Sequence, residues 1–383
     1  EYYEVIEYEQ KVYAKKDDQG NEELVKKAMP TAVIPGSFAT PSLLASVIDK
    51  KFTQSLPLYR QEQALERNGI TLSRQTMANW MIKLHDLYFD VFVEHMHKQL
   101  LKSEYLNVDE TTLEVLELLK TEGRQNCYMW LYKTGRSEDK QMAIYRFEND
   151  RKHERVKNYL NGYTNVVQSD GYAAYQNLES VTNMGCFAHL RRGFVEAIEA
   201  APKGTDVKKS VTQRLVNLLD ELFRLEKVYN KKYKNDYDQI LKARLKDSLP
   251  VYNEFYEKVK EIYPYAVKKT HLYESLTYAI NNEKYLSYFL EDGRVELSNN
   301  VAERCIKDFV IGRSNFLFSN SVLGAQASGS AYSIVVSAKL NNLKPHDYIE
   351  YILNQMKGQK LTDELLEAIM PWSTTLPKEL YKK

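Results

Sequence analysis

EYLNVDETTLEVLE (residues 104–117), NCYMWLYKT (126–134) and QMAIYRFE (141–148) are three β-rich runs, parted by the polar breaks TEGRQ (121–125) and GRSEDK (135–140). Three consecutive strands with short polar connections predict an antiparallel meander. Downstream the rhythm changes. RKHERVKNYLN (151–161) reads as helix, TNVVQSD (164–170) as a fourth strand, GYAAYQNL (171–178) as helix, and VTNMGCFA (181–188) as a fifth strand running into another helix. Alternating strands and helices suit parallel addition through crossovers. The order βββαβαβα therefore predicts an α/β (mixed α+β) fold, one mixed sheet with helices on both faces.

On either side of this block the chain reads as helical. LPLYRQEQALERNGITLSRQTMANWMIKLHDLY (56–88) predicts helix, turn, helix, with the turn at Asn68-Gly69-Ile70 and Ser73 as N-cap of the second helix. That helix would turn Met77, Trp80, Met81 and Leu84 inward and expose Arg74, Gln75, Asn79 and Lys83, residue types that contact phosphates and base edges. A helix pair with a Gly-containing turn fits a DNA-binding helix-turn-helix, and equally a plain helical hairpin. Ahead of it, Thr40 and Pro41 open a helix in GSFATPSLLASVIDKKF, and residues 1–35 read as short strands and turns with a polar break at KKDDQGNEE. Residues 201–290 read as almost entirely helical, with Leu215, Leu218, Leu219, Leu222 and Leu225 on one stripe. Residues 291–345 read as Gly-punctuated mixed segments, and 346–383 as a polar tail with an apolar patch at Met370-Pro371-Trp372.

Composition bounds the function. At 383 residues, two or three domains are expected. The 53 Lys plus Arg nearly cancel 52 Asp plus Glu, so the chain as a whole lacks the basic footprint of many nucleic-acid binders. The average hides a partition: residues 201–290 hold 17 basic against 12 acidic groups, and Phe309 to His346 holds no Asp or Glu. Three scattered cysteines, Cys127, Cys186 and Cys305, without a CxxC pair, predict neither a disulfide framework nor a Cys-rich zinc module. No apolar run is long enough for a membrane span, and no signal peptide opens the chain. Its start at Glu1 without Met is expected of a fragment or a processed chain.

Three acids draw attention. Asp109 is expected at the end of the first strand and Asp170 at the end of the fourth, where neighbouring carboxylates can hold a hard divalent cation; Glu303 is the candidate third. Each has a plainer reading. Asp109 and Glu110 could end a strand in water, Asp170-Gly171 is a common turn pair, and Asn300-Val301-Ala302-Glu303 has the spacing of a capping box. His189 stands in CFAHLRRGF with Cys186 three residues before it, too few ligands for zinc by themselves.

Taken together, these segments resemble the insertion-sequence-66 family of bacterial transposases, the TnpC type. The likeness is carried by LPLYRQEQALERNGITLSRQTMANW, YLNVDET, VVQSDGYAAY, GCFAHLRRGF and the long block LEDGRVELSNNVAERCIKDFVIGRSNFLFSNSVLGAQASGSAYSIVVSAKLNNLKP, and covers roughly residues 30–375. The resemblance implies a ribonuclease-H-like core whose DDE triad falls on Asp109, Asp170 and Glu303, holding two Mg²⁺ (or Mn²⁺) ions. It implies cleavage and strand transfer of an insertion sequence on double-stranded DNA. Phosphate contacts would come from His189, Arg191, Arg192, Arg304, Lys307 and Arg313. Glu110 would be a neighbour pointing to the opposite face. The implied organisation is 1–35 as the remnant of an upstream β-rich, zinc-module region, 36–103 as the helix-turn-helix region, 104–200 as the first part of the core, 201–290 as a helical insertion, 291–345 as the final part of the core with the helix that bears the catalytic Glu, and 346–383 as a C-terminal tail. Around Tyr13, where a last Cys pair would be expected, the chain reads Ala14-Lys15-Lys16, so no zinc is expected. Phe187 stands where Trp is usual. A cytoplasmic, nucleoid-associated homo-oligomer, working with or without accessory element-encoded proteins, follows from the same likeness. The rival readings are a catalytically silent DNA-binding regulator and a nuclease of the same core that cuts without strand transfer.

Overall fold

The structure is a computed structural model that describes residues 3–16, 22–171, 173–176, 178, 180–202 and 206–383. Most of the polar break in 15–23 lies outside the described residues. Strands β1 (Val12–Lys16) and β2 (Glu22–Lys26) pair as an exposed antiparallel ribbon, shorter than the strand reading of residues 1–14. Helix α1 (Pro41–Ile48) starts where expected, with Thr40 Oγ1 accepting from the Leu43 N–H. Helix α2 (Leu58–Arg67) and α3 (Arg74–Leu84) follow, and Ser73 caps α3 through the Thr76 N–H. A π-helical turn at His85–Phe89 carries α3 into α4 (Asp90–Leu100).

The sheet has the expected meander. Strands β3 (Tyr105–Val115), β4 (Cys127–Thr134) and β5 (Ala143–Glu148) pair antiparallel in sequence. Between β3 and β4 lies helix α5 (Leu116–Glu122), read from sequence as strand and polar break. Its Leu, Glu and Lys residues favour helix, and Gly123, at φ 65°, ends it in the left-handed conformation. After α6 (His153–Tyr159), strand β6 (Val166–Gln168) adds to β3 in parallel; after α7 (Ala173–Gln176), β7 (Thr182–Met184) adds to β6 in parallel. The order across the sheet is β5-β4-β3-β6-β7.

Cross-strand register fixes the two faces. Asp109 lies opposite Leu131, which lies opposite Tyr145; Glu110 lies opposite Trp130, which lies opposite Arg146. Directly paired residues share a face. On the Asp109 face, the Tyr145 hydroxyl donates to the Cys305 carbonyl. On the Glu110 face, Trp130 packs edge-on against Tyr175 of α7 and Arg146 lies over the Tyr159 ring of α6. Helices do cover both faces.

Helix α8 (Phe187–Glu199) leads into a helical region: α9 (Val211–Tyr233), α10 (Tyr237–Ala243), α11 (Leu249–Ile262), α12 (His271–Asn281) and α13 (Glu283–Leu286). Leu215, Leu219 and Leu222 of the expected stripe are buried there, in a second hydrophobic core shared with Phe187, Leu190 and Phe194 of α8. Arg244, fully buried, ties this region together. It donates to both carboxylate oxygens of Glu226 (2.9 and 2.6 Å) and to the carbonyls of Phe289, Asp292 and Val295.

The remainder departs from the sequence reading. Within the residues read as Gly-punctuated mixed segments, the helix expected to bear Glu303 is α14 (Asn300–Phe316), and a second long helix, α15 (Val322–Leu340), follows the short strand β8 (Phe318–Ser319) beside β3. The small residues of α15 let it lie against the outer edge of β5. Ser333 and Ser337 accept the edge N–H groups of Tyr145 (2.8 Å) and Ala143 (3.0 Å), and a Cβ on Gly329 would come within 2.8 Å of the Tyr145 carbonyl oxygen. Covering an edge strand in this way removes its free donors. Nor is 346–383 a polar tail. Helices α16 (Pro345–Met356) and α17 (Asp363–Ile369) bury Tyr348, Ile349, Ile352, Leu353, Leu366 and Met370 in the main core with the sheet and α1–α4. Apolar residues at helical spacing on α16 explain the packing.

Candidate active site

Asp109 lies inside β3, not at its end; the strand continues for six residues because pairing with β4 runs on to Leu113↔Cys127 and β8 adds at Glu114 and Val115. Asp170 stands two residues beyond β6, and Glu303 in the first turn of α14. The fold brings these three acids together. Burial pushes the Asp109 carboxyl up to about 8, helped by the charges of Glu110 and Asp170; the Glu110 N–H, which donates to Oδ1 at 2.9 Å, opposes the shift, and the Glu303 charge adds to it. Desolvation and like charges both disfavour ionisation, which is the electrostatic condition a divalent cation relieves.

Burial raises the Glu110 carboxyl as well, but this acid has partners that oppose the shift. Arg151 and the Tyr175 hydroxyl both engage its carboxylate on the far face of the sheet. Neither partner was expected from sequence, since both sit on connecting segments whose path only the fold defines.

Glu303 does not close a capping box. Asn299 is the N-cap and makes no side-chain cap bond, and Glu303 Oε1 is buried without a hydrogen-bond partner among the described residues. His189 Nδ1, likewise without a hydrogen-bond partner, lies 3.8 Å from it, and Arg192 Nη2 lies 3.7 Å from Oε2. Burial lowers the proton affinity of His189, against the charge of Asp170; Arg192 lowers it further and Glu303 raises it. The imidazole faces Glu303. Ligand atoms of Cys186, His189 and Glu303 fall within 4.8 Å of one another. Burial pushes the Cys186 thiol up to about 11, and its Sγ accepts the Asn299 N–H at 3.2 Å. The protonated thiol is occupied in structure by that bond.

A tyrosine from the helical region completes the surroundings. The Tyr278 hydroxyl of α12 donates to the Asp170 carbonyl oxygen at 2.8 Å. Gly171, at φ +88°, lies so close that a Cβ would stand 2.6 Å from that hydroxyl oxygen. The chain bends at Asp170, and the left-handed Gly171 follows it.

The family model described as the IS66 family of transposases matches residues 36–327. The chain belongs to this family. It is 29% identical over 371 residues to the uncharacterized protein y4qI of Sinorhizobium fredii, covering 93% of this chain and 66% of that one. It is 27% identical over 357 residues to y4hP of the same organism, covering 90% and 64%. The chain thus spans about two thirds of the length of these curated relatives. The Drosophila P element transposase strand transfer complex aligns with a TM-score of 0.41 at 13% identity, over 78% of this chain and 92% of that one.

The other residues singled out in this IS66-family chain divide by environment. Arg74, Gln75, Asn79 and Lys83 are exposed on α3, opposite the buried Met77, Trp80, Met81 and Leu84. The Arg74 guanidinium lies over the Tyr59 ring, and Gln75 donates to Asn79 at 3.0 Å. Arg304 and Lys307 are exposed on α14. Arg191 is tied to Asp220 of α9 (2.5 and 3.3 Å). Arg313 donates to the hydroxyls of Thr111 (3.0 Å) and Thr112 (2.9 Å), holding α14 to β3. No helix among the described residues is long and apolar enough to cross a membrane.

Proposed function

We propose that this chain cleaves DNA strands and transfers them during movement of an insertion sequence, with Asp109, Asp170 and Glu303 as its acidic triad. The observation that carries the reading is the meeting of three carboxylates from β3, the β6 turn and α14, with Asp109 held protonated up to a pH of about 8. Asp109, Asp170 and Glu303 would hold two Mg²⁺ (or Mn²⁺) ions, oxygen donors of the kind these hard cations take, and Glu303 Oε1 has no hydrogen-bond partner among the described residues to compete for it. Bound ions would supply activation of a water or a 3′-hydroxyl and offset charge at the phosphate. The chain's own residues hold the acids, and His189 with Arg192 stands ready to contact phosphate oxygens beside Glu303. Arg304 and Lys307 extend that basic rim.

The strand order, three antiparallel followed by two parallel, supports a ribonuclease-H-like core formed by 104–200 and 291–345, with 201–290 inserted between Asp170 and Glu303. The α2–α3 pair is read as a helix-turn-helix that meets duplex DNA through Arg74, Gln75, Asn79 and Lys83. A homo-oligomer is expected because two element ends must be joined.

The test is cleavage of element-end DNA with Mg²⁺ or Mn²⁺ by the wild-type chain and Asp109→Asn. Loss of nicking in the variant supports the triad, and equal nicking removes it. Products joined to target DNA distinguish a transposase from a nuclease of the same core. A chain that binds DNA but leaves it intact with either metal would be a silent regulator.

A further inference from the structure

Each acid is preceded, on its own segment, by a buried side-chain amide. Asn107 stands two residues before Asp109, Gln168 two before Asp170, and Asn299 four before Glu303. All three are at most 1% exposed, and they are bonded to one another. Asn107 and Gln168 are register partners across β3 and β6. Asn107 Nδ2 donates to Gln168 Oε1 (2.9 Å) and to Asn299 Oδ1 (3.0 Å). Gln168 Nε2 in turn donates to the carbonyls of Gly185 (3.1 Å) and Glu296 (2.7 Å).

Asn299 holds the decisive place. The Val166 N–H donates to the Glu104 carbonyl, and the Tyr105 carbonyl accepts from Gly135 on the other side. Successive carbonyls of a strand alternate sides, so those of Leu106 and Val108 face β6. The β3–β6 ladder ends at Asn107↔Gln168, one residue short of Val108. The Val108 carbonyl is taken instead by Asn299 Nδ2 at 2.7 Å. The Asn299 amide thus occupies the next rung of the ladder, where β3 and β6 part and their acids emerge. Its backbone N–H reaches Cys186 Sγ (3.2 Å), and its carbonyl accepts the Glu303 N–H (3.1 Å) as the first turn of α14.

We propose that Asn299 is a positioning residue: its side chain ties α14 to β3 directly, and to β6 through Asn107, and so sets the separation of the carboxylates on these segments, and with it the affinity for a divalent cation. An ordinary helix cap would spend this side chain on its own helix, and here it makes no such bond. The amide geometry is costly to disturb, because a buried donor or acceptor left without its partner loses its desolvation free energy. The inference rests on the reading that the three acids bind the cation.

The test measures Mn²⁺ binding to the 383-residue chain by calorimetry, without DNA, and the Mn²⁺ dependence of cleavage, in wild type, Asn299→Leu, Asn299→Ser and Asp109→Asn. Leu matches Asn in size and removes both side-chain bonds; Ser keeps a short hydroxyl and a good helix cap. The expected result is a rise of about tenfold or more in half-saturating Mn²⁺ for Asn299→Leu, of the order found when a partner that orients a metal ligand is removed, and a smaller rise for Asn299→Ser. Cleavage by both should recover at high Mn²⁺, and DNA binding in EDTA should be unchanged. A purely structural residue would lower the active fraction and leave the metal dependence alone. Wild-type Mn²⁺ dependence in Asn299→Leu overturns the proposal. If that variant does not fold, wild-type dependence in Asn299→Ser overturns it. If Asp109→Asn binds Mn²⁺ as wild type does, the triad reading itself falls; if Asp109→Asn loses binding while the Asn299 variants keep it, only the positioning role falls.

Discussion

Two carboxylate environments in this molecule, one buried and one half-buried, contrast sharply. In the helical region, Glu226 meets Arg244, whose donors also satisfy three backbone carbonyls. At the sheet, Asp109 is surrounded by Glu110, Asp170 and Glu303, and its proton affinity rises. The first site is electrically complete within the protein. The second is held together by the rest of the fold while its charges oppose one another. A buried charge with every partner supplied serves structure, and a cluster of like charges retained at a cost marks a place where a ligand completes the balance.

Substitutions should separate the two sites. The largest effect is expected on chemistry. Asp109→Asn should lower metal-dependent cleavage by several orders of magnitude while leaving the chain folded, as circular dichroism would show. Next, Arg244→Met leaves Glu226 and three carbonyls without their donor. It should cost about 3–5 kcal/mol in denaturant unfolding, as breaking a buried pair does, and adding Glu226→Leu should recover much of that. If Arg244→Met instead left stability unchanged and abolished cleavage alone, the contrast would be reversed.

A third expectation concerns pH. The Asp109 carboxyl titrates near 8 in the folded chain against 3.8 for an ordinary aspartate. Between those values the folded state holds a proton that the unfolded state has released, so the contribution of this group to stability falls as pH rises. Metal-free protein should therefore lose stability at this site from about pH 4 to 8, and Asp109→Asn should flatten the slope. Saturating Mg²⁺ should flatten it too, and a melt series across that range with and without Mg²⁺ reads both effects.

Smaller effects are expected away from the acids. Arg74→Ala with Lys83→Ala should weaken duplex binding and reduce the salt slope by about 0.9 for each phosphate that is no longer neutralised. Neither change should alter Mn²⁺ binding. Tyr278→Phe removes one hydrogen bond to the Asp170 carbonyl, worth about 1 kcal/mol, and should lower cleavage modestly. Unchanged cleavage would disconnect the helical region from the acid.

Much of this architecture is legible in the linear chain because it depends on neighbours in sequence. Alternation predicts β3, β4 and β5, and Thr40 and Ser73 act as the N-caps their positions suggest. The same local reasoning fails where long-range packing decides. VLGAQASGSAYS lies in a stretch read as Gly-punctuated mixed segments, yet it is helical, and its small residues permit close approach to the edge of β5. Residues 346–383 read as a tail until α16 and α17 are seen against the core.

The candidate site divides along the same line. Residue type and order alone singled out Asp109, Asp170 and Glu303 and placed Glu110 on the opposite face, since side-chain direction along a strand follows from its period of two. Whether Glu303 caps a helix or faces two aspartates could not be read from Asn300-Val301-Ala302-Glu303, which permits both. In the tertiary structure Asn299 is the N-cap with its side chain bonded to β3, and Glu303 Oε1 is buried without a hydrogen-bond partner among the described residues, so the capping box is not made. Capping is a bond between residues adjacent in sequence, whereas the acid cluster is assembled from segments up to 194 positions apart, from 109 to 303, and only the packed sheet brings them together.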